Sequence, residues 1–269
     1  MFGLRGRAQP ANDARGVSAG DRPRWGRSAG RPLVIGHRGA SARAPENTLA
    51  AFALARREGA DGVELDVMRC GSGELVVFHD WDLERLGQRP GKVAALPIEA
   101  LREVDLGGGE RIPLLSEVLE ALGPDLLVNV ELKVRGSGGE LAAPVIGMLR
   151  RHAMGARALV SSFHPLELGR VRALAPDVLT GYLFHAEQAL PLRRAWPACW
   201  LRPAAMHPDR QLVSEPAVSR WHQRGMAVNV WTVDEPGPLR AFAAMGVDGL
   251  ITNDPAGARA ALGGGTGAG

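Results

Sequence analysis

Short apolar, β-branched runs alternate along most of the chain with longer stretches of helical periodicity. The runs are LVIGH at 33–37, GVELDV at 62–67, LLVNVELKV at 126–134, ALVSSF at 158–163, LTGYLF at 179–184, PAAMH at 203–207, AVNVWTV at 227–233 and GLIT at 249–252. Segments such as TLAAFALARREG and LRAFAAMG lie between them. Eight strands separated by helices predict an α/β fold with a closed parallel sheet, a (β/α)8 TIM barrel, rather than an open sheet. PAAMH is the weakest of the eight, because its residues have little β propensity.

A ninth run, LVVFH at 75–79, breaks the repeat, since only seven residues separate it from GVELDV. A parallel crossover needs roughly ten or more residues, so the two runs are expected to form an antiparallel hairpin turning at Gly71, Ser72 and Gly73. A turn centred near residue 71 or 72 sets His79 opposite Glu64. The stretch that follows, about 81–111, reads as a small insertion after the hairpin, on the same side of the barrel as the strand ends.

Residues 1–31 contain almost no periodic apolar positions and read as a disordered basic tail, and 263–269 (GGGTGAG) read as a flexible one. The expected folded unit is therefore 32–262. The tail changes the meaning of the net charge of +3, because seven arginines against two aspartates give it +5 and leave −2 for the rest. Without an excess of basic charge on the folded unit, no nucleic-acid partner is expected. Of the 32 basic residues only Lys92 and Lys133 are lysines, a bias set by genomic base composition that makes each lysine noticeable. Two cysteines, Cys70 and Cys199, are too few for a disulfide framework and lack zinc-site spacing. With no secretory h-region and no apolar run of membrane-spanning length, the expectation is a cytoplasmic protein without a stable membrane anchor.

In a barrel of this kind reactive groups stand at the C-terminal ends of the strands. His37 and Arg38 end the first run, Glu64 and Asp66 the second and Glu131 and Lys133 the third, while Trp231 and Asp234 stand near the end of a later one. Side chains two apart on a strand share a face, so Glu64 pairs with Asp66 and Glu131 with Lys133. Three converging carboxylates repel unless a cation sits between them, and an all-oxygen set suits Mg²⁺ or Ca²⁺. His37 and His79, at strand ends, suit proton exchange near neutral pH, and Arg38 offers a bidentate phosphate contact. Trp231 reads equally as core or as a ligand-stacking ring. Glu46, Asn47 and Thr48 read first as a helix cap, with Asn47 or Thr48 as the cap residue and Glu46 as a group that could orient a ligand-binding neighbour. The remaining histidines read as structural.

Taken in order, GHRGAS (36–41), PENT (45–48), GADGVELDV (59–67), VVFHD (76–80), NVELK (129–133), SSF (161–163), VWTVD (230–234) and GVDGLITNDP (246–255) resemble the glycerophosphodiester phosphodiesterase family. The resemblance implies a barrel enzyme that hydrolyses small-molecule glycerophosphodiesters to an alcohol and sn-glycerol 3-phosphate with one divalent cation. By position, Glu64, Asp66 and Glu131 match the family's metal ligands, His37 and His79 its acid–base pair, and Arg38 and Lys133 its phosphate contacts. It also suggests attack by the glycerol's own hydroxyl through a cyclic phosphate. Cys70, the Gly71-Ser72-Gly73 turn and Asp234 depart from the family's usual residues, and none is a proposed ligand.

Alternatives stand beside this reading. A related barrel phosphodiesterase could act on a lysophospholipid or a sugar phosphodiester, and a non-catalytic phosphate-binding module would be expected to have lost a histidine or a carboxylate. A histidine-based phospholipase D motif is excluded, because neither lysine follows a histidine by two residues. Oligomeric state is not legible.

Overall fold

The structure is a computed structural model that describes residues 25–27, 30–136 and 138–263. Nine strands form one sheet: β1 (Leu33–His37), β2 (Gly62–Arg69), β3 (Leu75–Val77), β4 (Leu127–Leu132), β5 (Ala158–Ser162), β6 (Leu179–Phe184), β7 (Ala205–Pro208), β8 (Ala227–Val230) and β9 (Gly249–Thr252). All but β3 pair in parallel, and β1 hydrogen-bonds to both β9 and β2, which closes the (β/α)8 barrel. The low-propensity run at 203–207 does form a strand, because β6 and β8 flank it and supply its ladder partners.

Alternation along each strand separates two layers of core. Val63, Leu65, Val67, Val128, Val130 and Val160 point outward to the helices. Leu33, Ile35, Leu127, Leu159, Ala205 and Ile251 fill the barrel's interior. The helix Leu49–Arg57 shows how the outer layer forms, with Thr48 capping its start and Ala51, Phe52 and Ala55 buried on one face.

β2 is long enough to project past its partner β4, and its free end carries β3 as an antiparallel hairpin. The expected register is corrected by one residue. Val67 faces Val77 and Arg69 faces Leu75, and the last ladder bond runs from Phe78 N to the Asp66 carbonyl at 3.0 Å. His79 therefore lies beyond the ladder and does not face Glu64. The turn is one residue offset because Gly73, at φ +106°, supplies the positive dihedral that closes it. The insertion that follows has two short helices, Glu84–Gly87 and Ile98–Arg102, packed on a satellite core of Met68, Val76, Phe78, Leu83, Val93, Leu101 and Ile112.

The expected tail of 1–31 lies mostly outside the described residues, but its last part is packed against the barrel. Trp25 is 1% exposed among the interior residues Leu33, Leu127 and Ala205, near the N-terminal ends of their strands. Arg27 donates to the Ala243 carbonyl at 3.2 Å, and Arg31 pairs with Asp61 at 3.0 Å. The folded unit thus reaches back at least to Trp25, because an isolated indole gains more from burial than the local composition suggests. The last helix, Pro255–Gly263, includes Gly263, the first residue of the expected C-terminal tail, and 264–269 lie outside the described residues. Among the described residues no helix is long and apolar enough to cross a membrane.

Candidate active site

The inward-facing positions near the C-terminal ends of β1, β2 and β4 turn from apolar to charged, and this builds the site. Glu64, Asp66 and Glu131 are all buried, and one carboxylate oxygen of each lies within 4.8 Å of the others. Two cations are set among them. Lys133 Nζ lies 3.0 Å from Glu131 and 3.5 Å from Asp66, and Arg38 Nε lies 3.2 Å from Asp66.

This balance divides the carboxylates electrostatically. Burial, with repulsion from Asp66 and Glu131, pushes Glu64 well above the usual carboxylate range. Burial carries Glu131 up to about 7 although Lys133 opposes it. Burial acts upward on Asp66 as well, but Lys133 and Arg38 outweigh it and hold the group at about 2. Three buried carboxylates that oppose one another's ionisation, with oxygen donors only, fit a hard divalent cation.

Both histidines are fixed through Nδ1. His37 Nδ1 lies 2.7 Å from Asn253 Oδ1, and the Asn253 amide nitrogen donates to Asp234 at 2.7 Å. A carboxylate only accepts, so the Asn253 amide nitrogen faces Asp234, its oxygen faces His37, and the His37 proton sits on Nδ1. His79 Nδ1 donates in the same sense to Asp80 at 2.6 Å. Nε2 of each ring has no hydrogen-bond partner among the described residues, and that of His37 lies 4.0 Å from Glu64. Burial, helped by Arg38, lowers His37 to about 4, and burial lowers His79 also.

Arg38 adopts φ +54°, which turns its backbone N–H onto Glu64 at 3.0 Å while Glu46 holds the guanidinium at 2.7 Å. The two readings of the Glu46–Thr48 segment are both realised. Thr48 is the cap, accepting from Ala51 N, whereas Asn47, at φ +59° and fully buried, donates its amide to Asp66 at 2.8 Å.

A cavity of about 390 Å³ opens over these groups. His37, Arg38, Glu64, His79, Glu131, Lys133 and Trp231 all line it, and Asp66 lies beneath, held by Arg38 and Lys133. Trp231 stands on the opposite wall, edge-on to Phe163 with ring centroids 5.5 Å apart, and its indole donates to the His207 carbonyl at 2.8 Å. Sequence reasoning missed Asn253, Asp80 and Asn129, the last a fully buried amide on the cavity wall whose oxygen and nitrogen have no partner among the described residues. Asn129 carried a readable signal, a polar residue two before Glu131 on the same face of the strand, and Asp80 carried one as the immediate neighbour of His79.

A barrel with carboxylates, two fixed imidazoles and two cations at its C-terminal mouth is the architecture of a barrel hydrolase. The chain belongs to the glycerophosphoryl diester phosphodiesterase family, whose model matches residues 37–257. It is 35% identical to a glycerophosphodiester phosphodiesterase of Caldanaerobacter subterraneus subsp. tengcongensis, over 83% of this chain and 94% of that one. An Oleispira antarctica phosphodiesterase, solved in complex with the product sn-glycerol-3-phosphate, superposes with a TM-score of 0.79 at 30% identity, covering 87% of this chain and 97% of the other. A putative glycerophosphoryl diester phosphodiesterase from Silicibacter pomeroyi gives a TM-score of 0.80 at 28% identity, over 88% and 95%.

Proposed function

We propose that the chain hydrolyses glycerophosphodiesters to an alcohol and sn-glycerol 3-phosphate, using a divalent cation held by Glu64, Asp66 and Glu131 and proton transfer by His37 and His79. The observation that carries this reading is a single cavity bordered by three mutually repelling carboxylates and two imidazoles, each ring anchored at Nδ1 with no hydrogen-bond partner at Nε2 among the described residues.

Bound at the carboxylates, Mg²⁺ or Ca²⁺ supplies positive charge against the phosphate oxygens. Arg38 and Lys133, both on the cavity wall, hold the same phosphate and offset charge that grows as the bond to phosphorus forms. One imidazole takes the proton of the glycerol's neighbouring hydroxyl at Nε2 as that oxygen attacks phosphorus, while the other gives a proton to the departing alcohol. Water then opens the cyclic phosphate with the two rings exchanging roles.

The side chains around the site favour attack by substrate over attack by enzyme. Ser162 donates its hydroxyl to the Leu132 carbonyl at 2.9 Å, Ser161 Oγ is buried without a hydrogen-bond partner among the described residues, and Cys70 lies in the hairpin turn against Glu74. Both cysteines are free, in keeping with a cytoplasmic setting. The test measures glycerol 3-phosphate released from glycerophosphocholine, glycerophosphoethanolamine and glycerophosphoglycerol, with each divalent cation and with none. Release from none of them under any cation would remove the reading.

A further inference from the structure

The cavity at the barrel mouth does not end at Lys133. A cleft lined by Trp81, Lys133 and Phe163 continues from it and leads to a groove of about 250 Å³ bordered by the insertion and by the loop after β4. Four cations line this groove, Arg69, Lys92, Lys133 and Arg135, against one carboxylate, Glu140. Both lysines of the chain are among them.

Arg135 is oriented by its side chain without being neutralised, and Lys92 is held in place through its backbone. The Arg135 guanidinium stacks 4.3 Å over the Trp81 ring, an arrangement that orients a cation and leaves its charge intact. Lys92 forms a β-bridge with Asp82, and the next residue, Val93, donates its N–H to the Trp81 carbonyl at 3.0 Å, tying both residues to one frame. Among the described residues no carboxylate lies within ion-pair distance of Arg69, Lys92 or Arg135. The other rim of the mouth carries Glu187 and Asp209. The mouth is thus polarised, and a negative group attached to a phosphate at Lys133 is drawn into the groove and repelled from the far rim.

We propose that this groove is a subsite for a second phosphate, so that the protein favours phosphodiesters whose leaving alcohol is itself a phosphate ester. The scissile phosphate sits at Lys133, the glycerol hydroxyls lie toward Phe163 and Trp231, and the second phosphate meets Lys92 and Arg135. This rests on the hydrolytic reading above.

The matched probes are glycerophosphoglycerol and bis(glycerophospho)glycerol, which differ only in the second glycerophosphate. Two scissile ends give the longer diester a twofold advantage on statistics alone. The expected result is a kcat/KM preference of about tenfold at low salt, the scale of two exposed charge contacts, collapsing toward twofold at high salt. In Lys92→Ala/Arg135→Ala the preference falls to about twofold at low salt, and Lys92→Glu inverts it. Melting curves check that the variants are folded. A wild-type preference of twofold or less, or a full preference retained in the double variant, overturns the subsite. If neither diester is cleaved, the hydrolytic reading fails, and equilibrium dialysis of the longer diester with Ca²⁺ decides the groove separately. Tighter binding by wild type than by the double variant supports it, and equal or absent binding overturns it.

Discussion

The side-chain oxygen of Asn253 lies 2.7 Å from Nδ1 of His37, across 216 residues of chain. Asp234 fixes which way the Asn253 amide points, and Ser41 donates to the same oxygen at 2.8 Å. Asn253 thereby sets the tautomer of the imidazole that faces Glu64. Replacing Asn253 with Ala should lower kcat by roughly 10- to 100-fold, the scale of losing an orienting partner, while the far-ultraviolet spectrum stays the same. An unchanged kcat would remove the orienting role.

The second prediction concerns the cation. Chelation should abolish turnover, and Glu64→Gln, which removes one charge from the cluster and retains its shape, should bind Mg²⁺ or Ca²⁺ at least about tenfold more weakly by calorimetry. Wild-type affinity in that variant would show that the cation is held elsewhere.

The third tests the route. A glycerophosphodiester lacking the 2-hydroxyl should be turned over slower by roughly 10² or more than the natural diester under the same cation, since the attacking oxygen and its proton are both gone. Equal rates would refute the cyclic phosphate and leave the carboxylate assignment intact.

The fourth concerns stability and pH. His207 is fully buried inside the barrel, and burial lowers it to about 3. A histidine whose folded value lies below its unfolded value of about 6.5 binds its proton more readily when unfolded. Its contribution to stability is therefore complete above pH 6.5 and is lost progressively as the pH falls toward 3. His207→Asn should flatten the fall in melting temperature between about pH 6.5 and 4.5 relative to wild type, since the other titrating groups are common to both proteins. An acid limb as steep as that of wild type would exclude His207 as its source.

The fifth addresses the N-terminal boundary. Trp25 is packed against Leu33, Leu127 and Ala205, so Trp25→Ala should cost about 3 to 5 kcal/mol in denaturant unfolding. A loss below about 1 kcal/mol would mean that the barrel closes without it.

The order of the elements could be read in the chain because strand and helix periodicities are local. Glu64 and Asp66, like Glu131 and Lys133, could be placed together because a strand returns to the same face every second residue. Where local rules ended, the readings drifted. The hairpin register moved by one residue because its turn depends on the backbone angle of Gly73. Asn47 looked like one more cap residue, and nothing near it in sequence shows that its amide reaches Asp66 on the neighbouring strand. The boundary at residue 32 failed because the partners of Trp25 come from strands spread over most of the chain. The sequence by itself determined the fold class, the strand order and the charged residues at the strand ends, since these follow from short-range pattern. Only the tertiary structure decided which group holds His37, how the charge divides among the three carboxylates, and that both lysines line one groove, because each depends on distances between residues that lie far apart in the chain and meet only in the folded barrel.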